Sequence, residues 1–318
     1  MRTCKLLSVI APAYNEEDVI IEFHKRLVIV LSKMTCQYEI IYVNDGSKDK
    51  TYEYLKSLCA NNSHIRIIDL SRNFGKEIAM SAGFDHAQGD AVIVIDTDLQ
   101  DPPEVIPELF KEWENGYDVV YAQRITRDGE TPLKKITAKI FYWMIGKMSD
   151  IEIPRDTGDF RLLSRNAVNS LIQLKEQHRF MKGLFSWIGF PQKAILYHRD
   201  KRFAGNTKWN YWKLWNFAIE GFTSFSIAPL KFFSYFGGIV AILTFCYASI
   251  IIFKTIAFGD PVRGYPSLMV VILFLGGIQL LGIGILGEYL GRMFNETKNR
   301  PLYFVRDRIG FEDNILKK

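Results

Sequence analysis

The chain is poor in the features that define several common classes of protein. It has four cysteines in 318 residues, Cys4, Cys36, Cys59 and Cys246, with no CxxC pair and no metal-ligand spacing. A disulfide scaffold and a structural zinc site are therefore not expected, and reduced thiols in a cytosolic setting are. Charge of one sign is also scarce: 40 basic against 35 acidic residues leave +5, which argues against a dedicated nucleic-acid binder and leaves room for weak attraction to anionic lipid. Internal repeats and low-complexity segments are absent. The start, MRTCKLLSVIAPAYNEE, lacks the long apolar core of a signal peptide, because Pro12, Glu16 and Glu17 cut the apolar stretch short. Leu6 to Ala11 reads instead as a buried first strand.

Apolar residues are plentiful, at 48% with 14% aromatic, ample for a core and too many for a disordered chain. The mean hydropathy of zero is an average over unlike parts. Phe232 to Phe253 and Tyr265 to Gly287 are 22 and 23 residues without a charge, each long enough to cross about 30 Å of hydrocarbon as a helix. A buried soluble helix seldom runs this far without a polar face. Gly237-Gly238, Gly276-Gly277 and Gly282-Ile283-Gly284 would let two such helices approach closely, so a transmembrane hairpin over 229–292 is expected. Basic residues crowd its outer flanks, with Arg292, Lys298, Arg300, Arg306 and Arg308 after it and only Lys254 and Arg263 in its loop. The positive-inside rule then places both termini in the cytosol, with 1–228 as a cytosolic domain and 293–318 as a cytosolic tail.

Residues 1–228 alternate in an α/β manner. Strands are expected at Leu6–Pro12, Tyr38–Asn44, Ile65–Leu70 and Ala91–Asp96, and helices at Glu16–Lys33, Asp49–Ala60, Lys76–Ala87 and Pro103–Asn115. Unbroken apolar strands such as AVIVI indicate a parallel sheet covered on both faces, and ligands of such sheets bind beyond the carboxyl ends of the strands. Those ends carry Tyr14-Asn15-Glu16, Asn44-Asp45-Gly46-Ser47 and Asp96-Thr97-Asp98. Two further segments suit a membrane surface. Residues 132–149 gather Ile136, Ile140, Trp143 and Met144 beside Lys134, Lys135, Lys139 and Lys147, although a buried amphipathic helix would share that pattern; residues 208–228 are crowded with Trp and Phe, as in a headgroup belt.

The strongest local signal is AVIVIDTDLQDPPE. Asp96 and Asp98, with Gln100 close by, offer hard oxygen ligands to a divalent cation and leave positions open for phosphate oxygens. A solvated acidic turn would account for a lone DxD; three polar, acidic strand ends on one edge favour the metal site. Asp45 has the chemistry to accept hydrogen bonds from a base or ribose, and Tyr14 to stack on a base. Glu16 and Glu17 also suit the start of a helix, where the macrodipole favours negative charge. Arg72 and Lys76, between a strand and a helix, are candidate phosphate contacts or plain solvated charges.

The ordered set PAYNEE, NDGS, SRNFGKE, DTDLQDPPEVIP, GDFRLLSR, FMKG and RFAGNTKWNYWKLWN resembles family-two glycosyltransferases of the GT-A fold, a Rossmann-like nucleotide-sugar domain. Within that family the chain looks like the bacterial and phage polyprenyl-phosphate (bactoprenol) glucosyltransferases and the dolichol-phosphate mannose synthases. The resemblance implies that Pro12, Tyr14, Glu16 and Asp45 hold the nucleotide sugar, with Arg72, Lys76 and Arg124 on its phosphates. Asp96, Asp98 and Gln100 would bind Mg²⁺ or Mn²⁺ with the diphosphate. Asp159 would lie near the acceptor as a catalytic residue, either orienting it or acting as its base, with Asp98 the second catalytic residue, and Arg202 and Lys208 would meet donor or lipid phosphates. The QxxRW motif of processive synthases is missing, so transfer of one sugar is implied, most simply glucose from UDP-glucose to polyprenyl phosphate at the plasma membrane. GDP-mannose, UDP-N-acetylglucosamine or a UDP-aminoarabinose are alternative donors, a non-catalytic scaffold is the alternative class, and a homotetramer is implied by the same resemblance.

Overall fold

A computed structural model describes residues 2–125, 154, 157–198, 228–258 and 264–311. The two expected interfacial segments, 132–149 and 208–228, lie almost wholly outside the described residues, as do Arg202 and Lys208. The chain divides into two compact units, residues 1–224 with 300–318, and residues 225–299.

The first unit is built on an eight-stranded mixed sheet. Its strands are β1 (Leu6–Ala13), β2 (Gln37–Asn44), β3 (Ile65–Leu70), β4 (Ala91–Val94), β5 (Val119–Arg124), β6 (Thr157–Ser164), β7 (Gln192–Tyr197) and β8 (Val305–Ile309). They are ordered β7-β5-β6-β4-β1-β2-β3-β8. The expected parallel core is present in β3-β2-β1-β4, but β6 and β8 run antiparallel to their neighbours. Neither reversal follows from hydropathy, since β6 is fully buried like the parallel strands beside it.

Helices α1 (Ile20–Leu31), α2 (Thr51–Ala60) and α4 (Ile106–Glu114) pack on one face of the sheet. There Phe23, Leu27, Leu55, Leu109 and Trp113 meet Leu7, Val9, Ile40, Phe160 and Leu162. Helices α3 (Lys76–His86), α5 (Arg165–Gln173) and α6 (Met181–Trp187) form a second group. Helix α3 lies so close to β1 that a Cβ on Gly83 would meet Ile10 Cγ2 at 2.3 Å. Helix α1 starts at Ile20 rather than Glu16, and the backbone N–H groups of Glu16 and Glu17 donate to Thr51 Oγ1 and Asp49 Oδ2 across the loops. Strand β4 ends at Val94, two residues short of the expected Asp96.

Residues 300–311 change the sequence-based picture most. Set down as a tail after the hairpin, they supply β8, which pairs antiparallel with β3 from Ile67↔Ile309 to Leu70↔Val305. The VRDRI sequence is mostly charged, with Val305 and Ile309 half-buried and the three residues between them exposed, as suits an edge strand.

The second unit consists of helices α7 (Ala228–Phe258) and α8 (Tyr265–Thr297). At 31 and 33 residues each is about 45–50 Å long at 1.5 Å per residue. Their large apolar side chains point outward, with Phe245 75%, Ile256 81% and Leu280 71% exposed. Water would not tolerate such a surface, whereas lipid would. Among the described residues, Phe274–Thr297 is long and apolar enough to cross a membrane.

Candidate active site

The carboxyl ends of β1, β2, β3 and β4 share one edge of the sheet, and the turns that leave them are tied to one another by short polar contacts. After β1, Asn15 adopts a left-handed φ of 52°. Its N–H donates to Ser47 Oγ at 3.0 Å and its side-chain oxygen accepts from Lys48 N at 2.8 Å. The Glu17 carboxylate accepts from Lys50 N at 3.0 Å, in the turn after β2. Thr97 Oγ1 reaches the carbonyl of Pro12 at 3.2 Å. Pro12 is buried within β1, whereas Tyr14 and Glu16 are half-buried at its end.

Asp45 is 3% exposed, and its two carboxylate oxygens accept from Phe74 N at 2.7 Å and Gly75 N at 3.0 Å. Burial raises its pKa, against those two hydrogen bonds and Arg72. Its first task is thus to hold the 71–75 loop in place, while each oxygen keeps a second lone pair free for a ligand. Gly46 makes this possible. It sits at φ +64°, and a Cβ there would lie 2.4 Å from the Arg72 carbonyl carbon and 2.6 Å from Asn73 N. Gly46→Ala is expected to destabilise the chain by about 1–3 kcal/mol, the usual cost of such a strained backbone position. It should also weaken nucleotide binding, which thermal melting with and without UDP would show.

The loop after β4 carries Asp96, Asp98, Gln100 and Asp101. Leu99, 1% exposed, has φ 59°, an uncommon conformation for a branched side chain that marks a constrained turn. Asp98 Oδ1 accepts from Gln100 N at 3.1 Å. Asp101 Oδ1 takes the Tyr197 hydroxyl hydrogen bond and lies 4.0 Å from Arg124, so Arg124 is held at this loop by a carboxylate and by Tyr197.

Asp159 reaches the same edge through the reversed direction of β6. Val94 pairs with Arg161, and continuing that register by two residues sets Asp96 alongside Asp159. Lys76, at the start of α3, places its ammonium between them, 2.7 Å from Asp96 and 2.5 Å from Asp159. It thus bridges the Asp96 and Asp159 carboxylates while its side chain stays 42% exposed at the edge. Burial opposes the charge on Asp159, yet Lys76, helped by Lys182 and Arg161, holds its carboxyl well below the usual carboxylate range. For Asp96, burial and the neighbouring carboxylates outweigh Lys76 and push the pKa up to about 6.

Glu77 is a site residue that the motifs did not single out. Its carboxylate accepts from Met181 N at 3.1 Å, and burial, with Asp159 adding, pushes its pKa up to about 8. A carboxyl raised in the fold contributes stability that is full below its unfolded pKa, near 4.5, and is lost as pH rises towards 8. The thermal midpoint of the wild type should therefore fall across pH 5 to 8 by more than that of Glu77→Gln, a comparison that differential scanning fluorimetry makes directly. The early signal was its place as the last residue of SRNFGKE, after Lys76 at a helix start.

Among the described residues, no group of three or more His, Cys, Asp or Glu could by itself hold a metal ion. The DxD pair nevertheless fits Mg²⁺ or Mn²⁺, because such ions are commonly held by one or two carboxylates and complete their shell with substrate phosphates. The buried Asp159 Oδ1 has no hydrogen-bond partner among the described residues, so the edge also holds an unused acceptor.

Residues 8–172 match the domain of glycosyl transferase family 2. The chain belongs to this family. Residues 228–293 match the GtrB C-terminal hairpin, which, with the apolar α8, makes the family-two enzyme membrane-associated. A relative described as an uncharacterized glycosyltransferase of Synechocystis sp. is 57% identical over 98% of both chains. A bactoprenol glucosyl transferase from an SfII prophage of Shigella flexneri is 48% identical over 94% of this chain and 97% of its own. Of solved structures, glucosyl-3-phosphoglycerate synthase of Mycobacterium tuberculosis is similar at 18% identity and TM-score 0.45, over 68% of this chain and 76% of the other. The protein is a glycosyltransferase with the GT-A fold, and its family-two domain contains every one of the sequence-derived site residues except Arg202 and Lys208.

Proposed function

We propose that the enzyme transfers one glucose from UDP-glucose to polyprenyl phosphate at the cytosolic face of a membrane, with inversion at the anomeric carbon. The observation that carries this reading is the meeting of Asp96 and Asp159 at one sheet edge, next to the Asp45 and 71–75 turns, in a chain that also carries an apolar hairpin. Tyr14, Asp45 and the 71–75 loop would receive the nucleoside. Asp96 and Asp98 would hold Mg²⁺ or Mn²⁺, which when bound supplies positive charge to the departing diphosphate. Lys76 is placed to add charge to the same region, and Arg124 to approach it from β5.

A lipid phosphate is largely anionic near neutral pH, so it needs alignment with the anomeric carbon more than deprotonation. Asp159 would help orient it through the Lys76 ammonium that it holds. The hairpin would cross the membrane twice, with both termini and the catalytic unit on the cytosolic side, in keeping with the basic residues that flank its outer ends. The names of the bactoprenol relatives agree with a lipid acceptor.

The test is a donor panel with the purified full chain in nanodiscs, undecaprenyl phosphate and Mg²⁺. UDP-glucose is expected to give the β-linked glucosyl lipid, with UDP-N-acetylglucosamine and GDP-mannose at least tenfold slower. A preference for another sugar nucleotide would overturn the glucose assignment. Transfer to water-soluble sugars alone would overturn the lipid acceptor, and no transfer from any donor would favour a scaffold.

A further inference from the structure

We propose that Arg306, on the C-terminal strand β8, is a positioning residue for the donor nucleoside, acting through Asp69 and Asn44 on the Asp45 turn. The proposal deepens the reading above and rests on its assignment of the Asp45 and 71–75 turns to the nucleotide.

Arg306 Nε donates to Asp69 Oδ2 at 2.6 Å. Asp69 is 1% exposed, and its other oxygen accepts from Asn44 Nδ2 at 2.7 Å. Asn44 is fully buried, its side-chain oxygen accepts from Ser47 N at 3.3 Å, and Asp45 follows it directly. The residue just before the strand grips the opposing turn as well, because Ser71 N donates to Phe304 O at 2.9 Å. That turn is in turn bound to Asp45, by Phe74 N and Gly75 N on the carboxylate and by Asn73 Nδ2 on the Asp45 carbonyl at 3.2 Å. Both walls of the expected nucleoside site are therefore fastened to β8.

The chemistry of the relay favours a positioning role over simple attachment. Asp69 is a buried carboxylate, and such a group holds a fixed place only while its charge is matched. Removing the guanidinium would leave Asn44 as its remaining side-chain hydrogen bond and shift the residue that precedes Asp45. The strand itself would stay attached through other contacts. Tyr52 donates to Asp307 Oδ2 and Tyr303 to Asp85 Oδ2, each at 2.8 Å, in addition to the backbone pairing with β3.

The test uses the full chain in detergent, with UDP as the probe in calorimetry and hydrogen exchange on peptides covering 71–75. Arg306→Ala is expected to weaken UDP binding about tenfold, as for loss of one charge-assisted hydrogen bond, and to speed exchange in 71–75. Arg306→Lys should recover most of the affinity. Tyr303→Phe, which removes a bond of the same segment outside the relay, should leave it unchanged. Unaltered UDP affinity in Arg306→Ala, failure of lysine to rescue, or an equal loss in Tyr303→Phe would each overturn the proposal. If UDP binding follows the expected pattern while no glucosyl lipid forms with any acceptor, the glucosyl-lipid reading fails and the relay stands. Absence of UDP binding by the wild type would overturn both.

Discussion

Asp96→Asn and Asp98→Asn should each reduce transfer by about 10³-fold or more, in line with the loss of a principal source of transition-state charge stabilisation, while the chain still folds. The fold should survive for different reasons at the two positions. The Asp96 carboxyl already resists ionisation, its pKa pushed up to about 6 by burial and the carboxylates around it, so a neutral amide removes a charge that the fold disfavours. Lys76 keeps its contact with Asp159. At Asp98 the structural duty is to accept a hydrogen bond from Gln100 N, and the asparagine oxygen can do the same. What both variants lose is a hard anionic ligand. Initial rates with saturating Mg²⁺, melting temperatures and Mn²⁺ binding by electron paramagnetic resonance in the presence of UDP form the test. Activity within tenfold of the wild type, or Mn²⁺ binding unchanged, would sink the metal assignment.

The core of the site was readable because its determinants are local. A strand that runs into DTD or NDGS delivers those side chains to its carboxyl end whatever the rest of the chain does, and the apolar runs of β1 to β4 announce a sheet buried on both faces. The relations among them were not readable. Lys76 lies 20 residues before Asp96 and 83 before Asp159, and nothing in its neighbourhood says that it joins the two. That contact depends on β6 running antiparallel beside β4, a matter of topology that the sequence of a buried strand does not encode. The C-terminal strand was missed for a related reason. VRDRI is short and mostly charged, so it has no apolar signature, and its pairing with β3 spans more than 200 residues of chain. An edge strand needs only one matching face and a free row of backbone groups, and sequence periodicity is weakest where those requirements are met.

Asp159→Asn is expected to lower kcat about 10- to 100-fold, no more than the bottom of the range of about 10²- to 10⁴-fold that general acid–base catalysis supplies, and to leave the acid limb of the pH–rate profile where it is. A general base near neutral pH needs a pKa close to the working pH. Asp159 is held far below that by Lys76, with Lys182 and Arg161 in support, so it is a poor proton acceptor and a durable negative charge. The sign of its effect follows. At neutral pH the wild-type carboxylate fixes Lys76 between Asp96 and itself; the amide keeps the shape and releases that ammonium, leaving Asp96 as its remaining partner. The loss should therefore appear in kcat with little change in UDP affinity. A base would behave differently: its removal would abolish the acid limb and cost the full catalytic factor. Measuring kcat from pH 5.5 to 9 for both proteins, with polyprenyl phosphate at saturation, separates the two roles, and loss of the acid limb in Asp159→Asn would return Asp159 to the role of base.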